Sequence, residues 1–239
     1  MSSEKAAAET RAVLTALTGF SERAGHDMAG PLNQASSLLA LFVKRYRNQI
    51  DADADQLLDY LQSAAERMES VSRGVRKFMD IAGKTTVPGA VDLNDALAAA
   101  RERLSPNIAE SGALIVADRL PVVTGDAGHL TTVFENLIGN CIKFRREGEP
   151  PRVNVSTRRE GAMHEVVIRD EGIGIATEDN DTLFVAFKRL NGREYPGPGL
   201  GLAAARMIVE MHGGRIAIGP VSDGTPGTCV RFTLQPQQP

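Results

Sequence analysis

Apolar side chains recur every three or four residues along the first stretch of the chain, at Val13, Leu17, Phe20, Ala24, Met28, Pro31, Ala35, Leu38 and Phe42. The run Asp51-Ala52-Asp53-Ala54-Asp55 interrupts the pattern as a polar turn. The pattern then resumes at Leu57, Leu61, Ala64, Met68, Val71, Val75, Phe78 and Ala82. Such spacing, sustained on both sides of a turn, predicts two helices that each carry a narrow apolar seam. An antiparallel hairpin cannot bury both seams by itself, whereas two copies packed as a four-helix bundle can. The expected state is therefore a homodimer.

The texture changes after Lys84. Alanine, leucine, glutamate and arginine give way to valine, isoleucine, glycine and proline across Gly83-Lys84-Thr85-Thr86-Val87-Pro88-Gly89. Two domains follow from this, 1–84 and 85–239. In the second, a helix is predicted from Asp95 to Glu110 with Asn94 as its cap, and another from Asp126, also a cap, to about Phe144. A third runs from Leu200 to His212 and stops at Gly213-Gly214. Strands are predicted at Ala113–Ala117, Val122–Thr124, Arg152–Thr157, Glu165–Arg169, Arg215–Ile218 and Thr228–Leu234. The predicted class is α+β: a helical hairpin followed by an α/β sandwich.

Composition narrows the function classes. A net charge of -3 from 27 basic and 30 acidic residues excludes a sequence-independent nucleic-acid binder, which needs a basic surface. No apolar run reaches the roughly 18–20 residues of a membrane helix, and the polar N-terminus is no signal peptide, so a cytoplasmic protein without membrane insertion is expected. Cys141 and Cys229, far apart in apolar runs, read as buried free thiols in a reducing compartment.

Several residues carry candidate chemistry. His26 lies two residues from both Ala24 and Met28, about 200° around the helix from each seam position, and so faces solvent. Asp27 follows it. Pro31 sits inside the helix, where proline costs about 3 kcal/mol and would free the carbonyl of Asp27. Asn136 and Asn140 share one helix face with Lys143 nearby. Amide oxygens beside a lysine suit a Mg²⁺–phosphate site, although a solvated polar face looks the same. In Asp170-Glu171-Gly172-Ile173-Gly174 a carboxylate can accept from an exocyclic amine, and the glycines allow backbone to approach a flat ring; a plain turn is the alternative. Gly197-Pro198-Gly199-Leu200-Gly201 opens a helix, where backbone amides can cradle phosphate. The spacing fits neither a Walker A loop nor a Rossmann fingerprint. The polar stretch from Asp179 to Pro196 has the composition of a lid over a nucleotide.

The order of these segments resembles the sensor histidine kinases of two-component systems. His26-Asp27-Met28 with Pro31-Leu32 resembles their H box, Asn136 to Phe144 the N box and Asp170 to Ile175 the G1 box. Leu183 to Leu190 resembles the F box and Gly197 to Leu202 the G2 box, and Glu194 to Gly197 with Ile208 to Gly214 looks most like the phytochrome-type branch. The resemblance spans about residues 20–235. It implies a dimerisation and phosphotransfer hairpin followed by a Bergerat, GHKL-type ATP-binding domain, with ATP and Mg²⁺ as cofactors. It further implies autophosphorylation of His26, with Asp27 orienting the ring or taking its proton, and transfer to the receiver domain of a response regulator. On the same resemblance Asn136 and Asn140 hold Mg²⁺, and Lys143 lies near the phosphates. Asp170, with Gly172 and Gly174, reads adenine, while Gly197, Gly199, Leu200 and Gly201 hold phosphates. Glu135 is a second candidate base, and reads equally as an ordinary surface glutamate.

Four features depart from the family pattern. Gly30 stands where many relatives carry threonine or asparagine, which brings phosphatase activity toward the regulator into question. Glu171 replaces the usual asparagine of the G1 box, and Pro198 a common threonine of the G2 box. No sensor domain precedes the hairpin, so either a separate sensor protein supplies the input or the chain is a fragment begun by an added methionine. Two other functions compete with an active kinase: a dimeric adaptor that binds regulators and turns over ATP poorly, and a serine kinase of the anti-sigma type, which would lack the histidine hairpin.

Overall fold

The computed structural model describes residues 30, 34–47, 51–83, 87–175, 180–188, 195, 197–221 and 225–237. The chain divides into two compact units, Met1–Lys84 with Pro196–Pro198, and Thr85–Tyr195 with Gly199–Pro239.

In the first unit, residues 34–46 form helix α1 and Ala52–Gly83 form α2. The seam positions from Val13 to Met28 and Pro31, and with them His26 and Asp27, lie outside the described residues. The expected polar turn at Asp51–Asp55 is instead the start of α2. The Asp51 carboxylate caps the helix by accepting from Ala54 N at 2.8 Å, and Asp53 and Asp55 complement the dipole of the first turn. Arg47 reaches across to Asp55 and Asp59, closing the hairpin. Along α2, Leu58, Ala65 and Ile81 are buried. The seam residues Leu57, Leu61, Met68 and Val71 are 62%, 56%, 49% and 40% exposed. The apolar stripe read from the sequence is thus left largely open within one chain.

The second unit is a five-stranded sheet under a layer of helices. Strands β1 (Gly89–Asp92), β2 (Leu114–Ala117), β3 (Val122–Gly125), β4 (Arg152–Glu160), β5 (Met163–Asp170), β6 (Ile216–Pro220) and β7 (Thr228–Leu234) follow in chain order. The large sheet runs β2-β4-β5-β7-β6, with β2 parallel to β4 and the other pairs antiparallel. Alternation sets its inner face: Val153 and Val155, Val166 and Ile168, Ile218, then Val230, Phe232 and Leu234 are all buried. Over them lie α3 (Leu93–Arg103), α5 (Ala127–Lys143) and α6 (Gly201–Met211), and Phe134 of α5 meets Phe232 edge-on at 6.0 Å.

Two expectations are corrected. The single helix predicted from Asp95 to Glu110 is two, α3 and α4 (Ser105–Ser111), broken at Leu104 because Pro106 favours a new helix start. The cap of α3 is Asp92, which accepts from Asn94 N at 2.8 Å. Asn94 itself lies inside the helix and clamps Leu120 through its side chain. Strand β1 escaped the sequence pattern, since its four residues pair only with β3 in a separate two-stranded sheet. Asp126 does cap α5, accepting from His129 N at 2.9 Å, and Asp126 N donates to His212 Nε2 at 3.0 Å. Because His212 Nδ1 donates to Ile208 O at 2.7 Å, one neutral tautomer serves both bonds and ties the end of α6 to the start of α5.

The turn from α6 into β6 is the tightest crossing of the unit. A Cβ on Gly214 would fall inside the carbonyl oxygen of Thr233 and lie 3.0 Å from Val209 Cγ1. Gly214→Ala is expected to destabilise the protein by about 3 kcal/mol in urea denaturation. Gly89→Ala, where nothing lies within 4 Å, should stay within about 0.5 kcal/mol of wild type.

Candidate functional site

Asp170 is the last residue of β5, and alternation turns its side chain inward, where it is 8% exposed. Its Oδ1 accepts from Gly172 N at 2.8 Å and Thr228 N at 3.2 Å. Burial pushes the Asp170 carboxyl above the usual carboxylate range, and these donors oppose the rise. The strand after Gly227 is brought unusually close: Gly227 has φ 151°, and a Cβ there would fall inside the carbonyl oxygen of Asp170. Gly174, with φ 76°, packs against the same backbone. A cavity of about 200 Å³ opens at this point, lined by Cys141, Asp170 and Gly172 and rimmed by Arg145, Arg146 and Arg152.

Helix α5 buries one face in the core through Leu130, Val133, Phe134, Leu137 and Ile138. Asn136 and Asn140 lie half-buried on its flank. Asn136 faces the start of α6, its Oδ1 lying 3.4 Å from where a Cβ on Gly201 would stand. Its Nδ2 is buried without a hydrogen-bond partner. An unsatisfied buried donor costs about 1–3 kcal/mol. Beside it, Leu200 precedes α6 and makes no side-chain cap hydrogen bond, so the first N–H groups of the helix are unclaimed by any cap. An anionic oxygen seated there would satisfy both, so the residues fit a phosphate chain. Gly199 has φ 75°, and its carbonyl accepts from Phe187 N at 2.9 Å, tying the F-box segment to this turn. Lys143 Nζ lies 4.5 Å from the Phe144 ring centroid, and that ring is 4.9 Å from the ring of Tyr195.

Residues 125–238 match the family described as histidine kinase-, DNA gyrase B-, and HSP90-like ATPase. Over 201 residues, 84% of this chain and 26% of that protein, the sequence is 36% identical to cyanobacterial phytochrome A of Nostoc. The mycobacterial sensor histidine kinase MprB superposes with a TM-score of 0.54 at 26% identity, covering 63% of this chain and 100% of that one. Full-length ShkA in complex with AMPPNP shares the fold at 22% identity, with a TM-score of 0.65 over 90% of this chain and 45% of its own. Residues 125–238 thus match the ATPase domain of that family, and over most of its length the chain is similar to sensor histidine kinases and phytochromes. It spans about a quarter of the length of the curated phytochromes it matches, 26% and 27% for two of them. No described helix is long and apolar enough to cross a membrane.

The structure thus brings Asp170, Gly172 and Gly174 together at one end of α5, and Asn136 together with Leu200 and Gly201 at the start of α6. Gly197, with φ 127°, groups with the first unit. Glu135 is paired with Arg103 at 3.2 Å. The sequence reading missed Gly227 and Thr228. The signal was the glycine-proline turn Gly224-Thr225-Pro226-Gly227 ahead of an apolar strand, but nothing in it says that the turn meets Asp170, 57 residues earlier for Gly227 (227 − 170). Cys141, read only as a buried thiol, also belongs to the cavity.

A carboxyl whose pKa is raised on folding binds its proton more tightly in the folded state. Its contribution to stability is therefore present at low pH and lost as pH rises through the folded value. At neutral pH the ionised Asp170 is a cost. Asp170→Asn keeps an oxygen for the Gly172 and Thr228 amides while removing the charge. Thermal unfolding at pH 7 should show the variant melting at or above the wild-type temperature, and that difference should shrink toward pH 4.

Proposed function

We propose that this chain is an ATP-dependent protein-histidine kinase that phosphorylates itself on His26 and passes the phosphoryl group to an aspartate of a response-regulator receiver domain. The observation that carries the proposal is the pairing, within one ATPase-family unit, of an anchored buried carboxylate with an orphaned amide set against an uncapped helix start. On this reading residues 1–84 are the dimerisation and phosphotransfer domain, and 85–239 the catalytic domain.

Asp170 accepts from the exocyclic amine of adenine, with Gly172 and Gly174 keeping that end of the pocket flat. Asn136 Nδ2 and the first amides of α6, reached through Gly199, Leu200 and Gly201 with Gly197 in the same turn, take the phosphate oxygens. Asn136 and Asn140 would hold Mg²⁺ through their amide oxygens, and the ion would neutralise phosphate charge and order the chain of phosphates. Lys143 adds positive charge at the same flank. Phosphoryl transfer asks mainly for positioning and charge neutralisation, so the remaining requirement is an acceptor that is neutral and nucleophilic near pH 7. The imidazole of His26 meets it, with Asp27 orienting the ring or taking its proton.

The open seam of Leu57, Leu61, Met68 and Val71 supports a homodimer, in which a second copy covers it. The two buried free cysteines support a reducing, cytoplasmic setting for this chemistry. Glu171, the departure in the G1 box, bears on the adaptor alternative. That side chain is 57% exposed and turned toward Arg152 at 3.9 Å, away from the donors that hold Asp170. Its departure from the family pattern therefore leaves the anchored carboxylate intact.

Incubation with γ-labelled ATP and magnesium tests the proposal. The wild-type chain should acquire acid-labile, alkali-stable label, and His26→Gln should lose at least about 99% of it while retaining nucleotide affinity. Absence of label despite measurable nucleotide binding would leave the adaptor. Acid-stable label on a partner serine would indicate a serine kinase.

A further inference from the structure

Arg146 stands just past the end of α5, and each nitrogen of its guanidinium has its own partner. Nε donates to Gly172 O at 3.4 Å, Nη2 donates to Pro226 O at 3.2 Å, and Nη1 lies 3.8 Å from the exposed Glu149. The rigid, planar fork of arginine suits it to holding two acceptors at a fixed separation.

The two carbonyls belong to the two segments that hold Asp170. Gly172 gives its amide to Asp170 Oδ1 at 2.8 Å and its carbonyl to Arg146. Pro226 leads into Gly227, which runs against the Asp170 carbonyl, and then into Thr228, whose amide gives the second bond to Oδ1 at 3.2 Å. A closed ring of contacts therefore runs from the carboxylate through Gly172, the guanidinium, Pro226 and Thr228 back to the carboxylate. Apart from Asp170 and Arg146, every link in it is backbone. A plain loop tether is the alternative, and the turn already has one, since Arg169 Nη2 donates to Thr225 Oγ1 at 2.8 Å. That bond grips a side chain of the turn, whereas the Arg146 bond grips the peptide that leads into Gly227 and Thr228.

We propose that Arg146 is a positioning residue for adenine nucleotides: by clamping the Gly172 and Pro226 carbonyls, its guanidinium sets the two amides on Asp170 and so aims that carboxylate at a purine's exocyclic amine. This rests on the reading of Asp170 as the adenine acceptor. The clamp serves one group of the ligand, so its loss is felt by a base that offers an amine at that place and not by one that offers a carbonyl.

The test is calorimetric titration of the full chain with magnesium and either ADP or IDP, in which an oxygen replaces the amine at the purine 6 position. Wild type should bind ADP at least about tenfold more tightly than IDP. Arg146→Ala should weaken ADP binding about fivefold and leave IDP within about twofold, so that the preference falls. Arg146→Lys, which offers one ammonium in place of the fork, should keep an intermediate preference, and it carries the same comparison if the alanine variant does not fold. The proposal is overturned if Arg146→Ala keeps the wild-type preference, either because affinity is unchanged or because both nucleotides weaken equally, which is what a loosened loop would give. Failure of the underlying reading looks different: wild type that binds IDP as tightly as ADP removes Asp170 as the adenine acceptor, and the proposal with it.

Discussion

A charged carboxylate under a helix layer must be held by donors from its surroundings, and at Asp170 this requirement shapes the whole end of the domain. Two backbone amides reach Oδ1, one from the residue after next and one from the start of β7. For the second to arrive, Gly227 must run against the carbonyl of Asp170 at a distance no Cβ allows. The G1 turn, in its own right, is pinned to the end of α5, since Ile173 N donates to Phe144 O at 3.0 Å. Strand end, turn, helix end and returning strand are thus fixed around one ionisable group. Burial pushes this carboxyl up against the pull of those donors, and a cost retained in the folded state is more intelligible as a binding feature than as a structural one.

Helix α5 lets one element serve both core and site. Its buried face, with Phe134, Leu137 and Ile138 almost fully enclosed, locks it against the sheet. Because that face cannot shift, the flank bearing Asn136 and Asn140 is set to within side-chain rotamers. The same locking explains how an amide nitrogen can be left without a partner: the core contacts of α5 outweigh one unsatisfied donor of about 1–3 kcal/mol. The orphan persists beside the only part of α6 whose own amides lack a side-chain cap. Two independent shortages of acceptors at one place suit an anionic ligand better than either would alone.

What was legible in the sequence followed from periodicity and local chemistry. The three-and-four spacing of α2, the capping of α5 by Asp126, the pairing of β4 with β5 and the glycine stop after α6 each depend on residues close in the chain. What was not legible depended on distant partners or on competition between caps. Asn94 looked like a cap because it precedes a helical run, yet Asp92 lies two residues earlier, and Asn94 has a better use, bridging to Leu120. Strand β1 is too short to show alternation. The contributions of Gly227, Thr228 and Cys141 to the Asp170 pocket exist only once β7 and α5 have packed on β5, and no local pattern announces them. His26 was read from local features alone, a solvent-facing position in the pattern and a following carboxylate, and it lies outside the described residues.

The departure at Glu171 shows how strand geometry decides what a substitution can disturb. Successive residues of a strand point to opposite sides, so the inward turn of Asp170 sends the next side chain outward. Glu171 accordingly meets Arg152, its backbone N donating to Arg152 O at 3.3 Å and its carboxylate lying 3.9 Å from the guanidinium. A second negative charge directly beside a buried carboxylate would oppose its ionisation if both faced the same cavity interior. Glu171 is 57% exposed with a guanidinium 3.9 Å away, so its charge is screened. An acidic residue at this position therefore leaves the anchoring of Asp170 intact where the paired strand supplies a basic partner. Here β4 does so with its first residue.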